Sequence, residues 1–446
     1  MPKVLFVAPS AYLLSGLATW LDYLVPGLAA AGWDARLALV SGSQHHRPER
    51  YLAVHPMQNT LIAHNASGTA EGRCRALSQL LSESRPDIAV SVNIPDLFVA
   101  INRRRQDQLV APHAAMSVHG IEAFLYADAR RYGAMLDALI CTNRLSCALA
   151  ESLGGMEPSR VLYSPYGVNQ SVRSTSPEAG DRLRIVYAGR LETAQKRAGD
   201  LVGIARSLRE KGAPFRLEIA GDGPDRSALE AALRAEVAEG SVHFHGHVPL
   251  DELKSRIYPT AHALLITSYW ETGPIVAWEA MAQGVPVVSA RYIGSGLESA
   301  LLDGRNSSLF DIGDVEGAAT ALSRLWLEPE VGRVLSAGAR RLVAERYSIS
   351  ASVQAWSHSL RAILGRAQLS AMSLAPGPVA GRLDRWLGPM RAESVRRALP
   401  LPGPFASDAG GEWPHAHSKI ESDAAFWCVA ERTDTRSQPV GAIHVA

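Results

Sequence analysis

Twice along the chain a short apolar run enters a glycine-bearing turn and then a long helical pattern, the rhythm of a parallel βαβ unit. That repetition constrains the fold more than any other feature. Parallel strands need a crossover of a dozen or more residues, so such a chain becomes a sheet with helices on both faces. The first series opens at residues 4–9, passes Ser15 and Gly16 into an apolar helix over 17–30, and stops at Gly32, a C-terminal breaker. Strands follow at 35–40, 87–93, 114–118, 138–142 and 161–165. The second series runs through 184–188, 216–220, 242–244, 263–267 and 285–290, again with helices between. Helical patterning then covers 316–347 and 351–369.

The expected fold is therefore α/β, with two doubly wound, Rossmann-like domains. At 446 residues the chain is far longer than one ~150-residue domain. The stretch 164–180 is punctuated by Pro and Gly and rich in Ser, Asn, Gln and Glu, which marks a boundary. The layout read from this is a first domain at 1–170, a linker at 171–180, a second domain at 181–350, a helix at 351–370 and a Pro-rich flexible tail at 371–446. The tail holds 8 of the 26 prolines. Within it, Trp386, Arg382, Arg385, Arg391, Arg396 and Arg397 form a helix-capable stretch with the chemistry of an anionic membrane contact. A solvated extension is the simpler account of the same residues.

Composition excludes several classes. With 45 Lys+Arg against 44 Asp+Glu there is no global field for nucleic acid, so an anion site must be local. A hydrophobic content of 47% excludes a wholly disordered chain. No apolar run reaches the length of a spanning helix, and the N-terminal residues lack a basic region and cleavage site, so a cytoplasmic protein is expected. Cys74, Cys141, Cys147 and Cys428 are scattered, without CxxC pairs or zinc-type His spacing, so neither disulfides nor structural metal are expected.

The chemistry concentrates in SYWETGPIVAWEAMAQG, residues 268–284, directly after a strand. Pro274 suits a helix start and Gly284 its end, and the residues between are apolar nearly all round, so this helix must be buried. Glu279 sits inside it. A buried carboxylate costs several kcal/mol without hydrogen bonds or charge, and a ligand diol supplies the first. Glu271 lies before the helix, where free N–H groups from Gly273 onward favour an anion such as phosphate. A helix-start carboxylate and an ordinary Glu279–Arg pair are the plainer alternatives. YAGRLETAQKR, residues 187–197, adds Arg190 and Lys196 after a strand ending at Gly189. Arg offers a rigid fork to phosphate oxygens and Lys a mobile charge. His119, in SVHG, also follows a strand end, where ligands gather in open α/β sheets. Arg103, Arg104 and Arg105 form a basic run suited to surface contact or plain solvation.

These segments resemble the family 4 glycosyltransferases, retaining enzymes of GT-B architecture with two Rossmann-like domains facing a central crevice. AGRL with its downstream Lys, the GDGP turn at 221–224, two glutamates with seven residues between, EAMAQGVPVVSA at 279–290 and LESALLDGRNSSLF at 297–310 carry the resemblance. It implies that Arg190 and Lys196 grip a donor diphosphate and that Glu279 binds ribose hydroxyls. Glu271 would address the transferred sugar, and Gly273, Pro274 and Ile275 the phosphate or sugar. Gly189 closes the donor strand, Glu298 matches the acidic residue of the later motif, Gly16 the donor-facing glycine loop, and His119 the histidine near the reacting sugar. The late helix resembles the family's return crossing. The chain departs from the usual pattern at Tyr166 in SPYGVN, at Arg197, and at Thr272 and Gly273.

The implied activity is metal-independent transfer of a sugar from a UDP- or GDP-sugar to a glycan or lipid-linked hydroxyl, at the inner membrane face, with no cofactor. No DxD cluster stands in the donor loops. A nucleotide-sugar isomerase of the same fold and a non-catalytic nucleotide-sugar-binding scaffold remain as alternatives.

Overall fold

The computed structural model describes residues 1–11, 16–42, 45–170, 182–374, 381–399 and 424–435. The expected linker at 171–180 and Ser15 lie outside them. The chain divides into two compact units. The first contains Met1–Thr142, Ser146–Ser164 and Val353–Phe426, and the second Asn143–Leu145, Pro165–Ser352 and Trp427–Ala446.

In the first unit β1 (Lys3–Pro9), β2 (Asp34–Val40), β3 (Leu61–Ala63), β4 (Ile88–Val92), β5 (His113–Val118), β6 (Ala138–Cys141) and β7 (Val161–Tyr163) form a seven-stranded sheet. Its order is β3-β2-β1-β4-β5-β6-β7, and every pairing is parallel. The second unit carries β8 (Leu183–Ala188), β9 (Phe215–Ala220), β10 (Val242–Gly246), β11 (Ala263–Ile266), β12 (Val287–Ala290) and β13 (Ser307–Phe310), ordered β10-β9-β8-β11-β12-β13 and also parallel. The order reverses between β1 and β4 and between β8 and β11. At such switch points the crossovers leave to opposite sides and open a place for ligand beyond the strand ends.

Parallel strands covered on both faces read as continuous apolar runs, and β4, β11 and β12 are buried at every residue. Successive residues of β11 divide between two cores. Leu265 joins Ile185, Leu217, Leu201 and Leu322 on one face. Leu264 joins Val186, Val287, Trp278 and Met281 on the other. The strands missing from the sequence reading, β3 and β13, are short edge strands of three and four residues with partly exposed positions, so neither shows a long apolar run.

Several expectations need correction. The helical pattern at 316–347 is two helices, Val315–Leu327 and Pro329–Leu342, followed by a π-helical turn at Val343–Tyr347. Proline supplies no N–H and clashes with the preceding turn, so Pro329 starts a new helix. The described residues of the tail are not all a solvated extension: they form helices at Arg382–Leu387, Pro389–Ala398 and Ala424–Thr435. The first two are tied by a buried pair, with Arg396 Nη1 donating to Asp384 Oδ1 at 3.1 Å. Glu393 accepts from Thr69 Oγ1 at 2.9 Å and anchors them to the first unit. Arg396 is thus committed inside, whereas Trp386 is 88% exposed. The basic run 103–105 is likewise not a solvated patch. Arg103 pairs with Glu71 at 2.7 Å, Arg104 donates to the Val110 carbonyl at 2.7 Å, and Arg105 pairs with Asp137 at 2.6 Å.

Among the described residues no helix is long and apolar enough to cross a membrane.

Candidate active site

The second sheet delivers two loops to its switch point. The loop after β8 begins at Gly189, whose N–H donates to the Ala220 carbonyl at 3.0 Å. Leu191 N–H donates to the Asp222 carbonyl at 2.9 Å, which draws the GDGP turn against this loop. The glycines of that turn are required by close approach. A Cβ on Gly221 would lie 1.8 Å from the Gly189 carbonyl oxygen, and one on Gly223 would lie 2.3 Å from that of Leu191. The two motifs are therefore one packed unit.

The same loop is stitched to the chain leaving β11. Thr267 Oγ1 donates to the Lys196 carbonyl at 2.7 Å, and Tyr269 N–H donates to the Gln195 carbonyl at 2.7 Å. This stitching aims Lys196 at Glu271: Nζ stands 2.5 Å from Oε1, which also accepts from Ser268 Oγ at 2.6 Å. Glu271 is buried. Arg190 contacts Gln195 Oε1 at 3.1 Å, and its side chain is 61% exposed. One cation is thus held in a buried pair, and the other extends into solvent from the same loop.

Beyond Glu271 the backbone passes Gly273 at φ +144°, in the region that favours glycine. A Cβ there would come within 3.0 Å of the Tyr166 ring. The helix then runs over Ile275–Ala282, with Pro274 capping it and accepting from Ala277 N–H at 2.8 Å. The first amides of a helix have no intrahelical acceptor, so those of Ile275 and Val276 face the approach to this end. Ala277 to Ala282 are buried, as the all-round apolar pattern demanded.

Glu279 is only 4% exposed. Burial pushes its carboxyl up to about 7, and Lys254 Nζ, 4.0 Å away, partly offsets that rise. Its cation is a lysine and not the arginine of the plainer alternative. Lys254 lies on a π-helical turn at Leu253–Ile257, and no spacing rule in the sequence marks it. Ser268 and Gln195, by contrast, stood inside the quoted motifs.

Glu298 is engaged by the chain itself. It accepts from Arg346 at 2.5 Å and from the Tyr347 hydroxyl at 2.6 Å, and the Tyr347 ring stacks on Trp278 at 4.1 Å. Its carboxylate props the helix that carries Glu279.

Gly16 and His119 belong to the first unit. Gly16 is the exposed first residue of the helix Gly16–Ala30. His119 follows β5, its ring 4.4 Å from that of Trp20, and burial pushes its pKa down to about 3. It is a neutral imidazole at physiological pH. The structure therefore joins Lys196 and Glu271 in one hydrogen-bonded pair with Arg190 on the same loop, carries Gly273, Pro274, Ile275 and Glu279 on the segment that follows, and leaves Gly16 and His119 in the other unit. Among the described residues no group of three or more His, Cys, Asp or Glu is placed to hold a metal ion.

Residues 182–328 match the family model described as Glycosyl transferases group 1. Lipopolysaccharide 1,6-galactosyltransferase of Escherichia coli strain K12 is 26% identical over 254 residues, covering 56% of this chain and 68% of that protein. The structure of the lipopolysaccharide outer core galactosyltransferase WaaB in its apo form superposes with a TM-score of 0.64 at 18% identity, over 80% of this chain and 99% of that one. That of Anabaena HepE in complex with UDP and glucose gives 0.64 at 15%, over 81% and 100%. At such identities the structures speak for the fold alone. Residues 182–328 thus carry the signature of the group 1 glycosyl transferases, and the two parallel-sheet units share the fold of both solved structures.

Proposed function

We propose that this glycosyltransferase moves a sugar from a nucleotide-diphosphate donor to a hydroxyl of a glycan or lipid-linked acceptor, with retention at the anomeric carbon, as in family 4. The observation that carries the reading is the Lys196–Glu271 pair at the β8/β11 switch point, followed by a buried helix whose Glu279 faces Lys254 at 4.0 Å, the long limit of an ion pair. When the bond between the anomeric carbon and the diphosphate oxygen breaks, negative charge grows on the leaving group. Arg190, Lys196 and the first helix amides neutralise that charge, a contribution worth several kcal/mol per preorganised donor. The acceptor hydroxyl oxygen bonds to the same face of the carbon as the diphosphate leaves, and its proton passes to a departing diphosphate oxygen. Glu271 receives sugar hydroxyls, Glu279 the ribose diol, and neutral His119 acts as a hydrogen-bonding group and not as a cation. Because cations and amides of the chain meet the diphosphate, the reaction proceeds without a divalent metal. The lipopolysaccharide galactosyltransferase relatives support polysaccharide or glycolipid assembly as the setting, and the proposed location is the inner membrane face.

The test is a thermal-shift and turnover panel of UDP, GDP and ADP sugars, with and without EDTA, on wild type, Lys196→Ala and Glu279→Gln. One donor should stabilise the wild type and be turned over in EDTA, and both variants should lose most of that stabilisation. Absence of a shift with every donor at millimolar concentration overturns the reading.

A further inference from the structure

The two loops that flank Glu271 are covered by the chain's own C-terminal helix. Ile293 binds back to the Glu271 segment, donating to the Tyr269 carbonyl at 2.9 Å and accepting from Glu271 N–H at 3.1 Å. The next residues turn their amides together: Gly294 N–H at 2.7 Å and Gly296 N–H at 3.0 Å reach one oxygen of Asp434, and Leu297 N–H at 2.8 Å reaches the other. Asp434 lies near the end of the helix Ala424–Thr435 and is 4% exposed. Convergent backbone amides of this kind make an anion-binding nest, and here a carboxylate fills it. The fit is tight, because a Cβ on Gly296 would lie 2.5 Å from the Asp434 carbonyl oxygen. An independent contact lies on the companion loop, where the Trp427 ring stands 5.7 Å from both Tyr269 and Trp270, directly before Glu271. Burial raises the Asp434 carboxyl above its ordinary value, so holding this charge in the nest carries a desolvation cost.

We propose that the amides of Gly294, Gly296 and Leu297 form a binding site for a phosphate-class anion, and that the C-terminal helix is its intramolecular competitor through Asp434. A tetrahedral oxyanion presents more acceptor oxygens and more charge to three N–H donors than a carboxylate does. While the helix is docked, apparent affinity for the anion is reduced by the fraction of molecules with an open nest. Asp434→Asn keeps the shape but removes the charge. Trp427→Ala weakens the helix contact without altering the nest. The nest geometry does not depend on the donor reading, and failure of donor turnover leaves the inference standing.

The experiment is amide hydrogen exchange on the full chain, reading residues 424–435 with and without 10 mM inorganic phosphate or UDP, together with phosphate titration. Both variants should exchange about tenfold faster at 424–435 without ligand and bind the anion about tenfold more tightly, as a tenfold larger open fraction requires. Added anion should release the helix in wild type. If UDP releases it but fails to do so in Lys196→Ala, the anion is the donor's diphosphate. If inorganic phosphate releases it equally in both backgrounds, the anion is a separate phosphate. The proposal is overturned if neither anion changes exchange at 424–435, or if both variants bind phosphate no more tightly than wild type.

Discussion

A carboxyl group held near 7 inside an apolar helix makes Glu279 a titrating residue at working pH. Its ordinary value is about 4.5 and its folded value about 7. Protonation is therefore favoured by folding. The folded state is favoured at pH 4.5 and below, and this advantage is lost as pH rises through 7, by about 3 kcal/mol from the 1.36 kcal/mol carried by each pKa unit. Glu279→Gln should be more stable than wild type by up to that amount at pH 8 and nearly equal to it at pH 4, read as urea midpoints of the second unit. Ligand hydroxyls donating to this carboxylate favour its ionised form. Donor binding should then release a proton below pH 7, which calorimetry in buffers of different ionisation enthalpy measures. At the neighbouring pair, Lys196→Ala should lower kcat/KM by about 10²–10³-fold, the usual loss for one preorganised donor. Glu271 and Glu279 were legible in the sequence because acidic residues break an otherwise apolar pattern. Lys254 was not, because its approach to Glu279 is set by the packing of a π-helical turn.

Among the elements, the strand-end turns were the most legible and the late helices the least. Gly189, Gly221 and Gly223 punctuate short apolar strands, and their close backbone approach explains why glycine is needed. Gly223→Ala should cost about 1–3 kcal/mol in the second unit, the range for forcing atoms into a packed site, as a lower urea midpoint. The helices at 382–398 were hidden by proline density and by a basic surface pattern that the buried Asp384–Arg396 and Glu393–Thr69 contacts overrule. What stays outside is Trp386, with Leu387, Met390 and Leu399 also exposed. A peripheral membrane role for this pair of helices predicts that Trp386→Ala reduces co-sedimentation with anionic phosphatidylglycerol vesicles about tenfold, with neutral phosphatidylcholine vesicles binding neither protein.

For the whole molecule, the alternating pattern of strands and helices sufficed to read two doubly wound domains, since parallel pairing leaves few other arrangements. Which late residues join which unit was not legible, because helical periodicity shows an apolar face but not its partner. The first unit takes back Val353–Phe426 after Pro165–Ser352 of the second, which in turn takes Trp427–Ala446. Trp356 enters its core beside Trp20 and Phe6, with ring centroids 5.0 and 6.0 Å apart, and Ser357 accepts from the Trp33 indole at 2.9 Å. Seen from the ribosome, the main segment of the second unit, Pro165–Ser352, is an insertion into the first. A nascent chain that has not reached residue 353 carries an N-terminal sheet whose Trp20 and Phe6 lack their Trp356 contact, and closing so long a loop carries an entropic cost. Folding the inserted unit early shortens that search, so substitutions that slow the second sheet should leave an aggregation-prone first sheet even when its own sequence is unchanged.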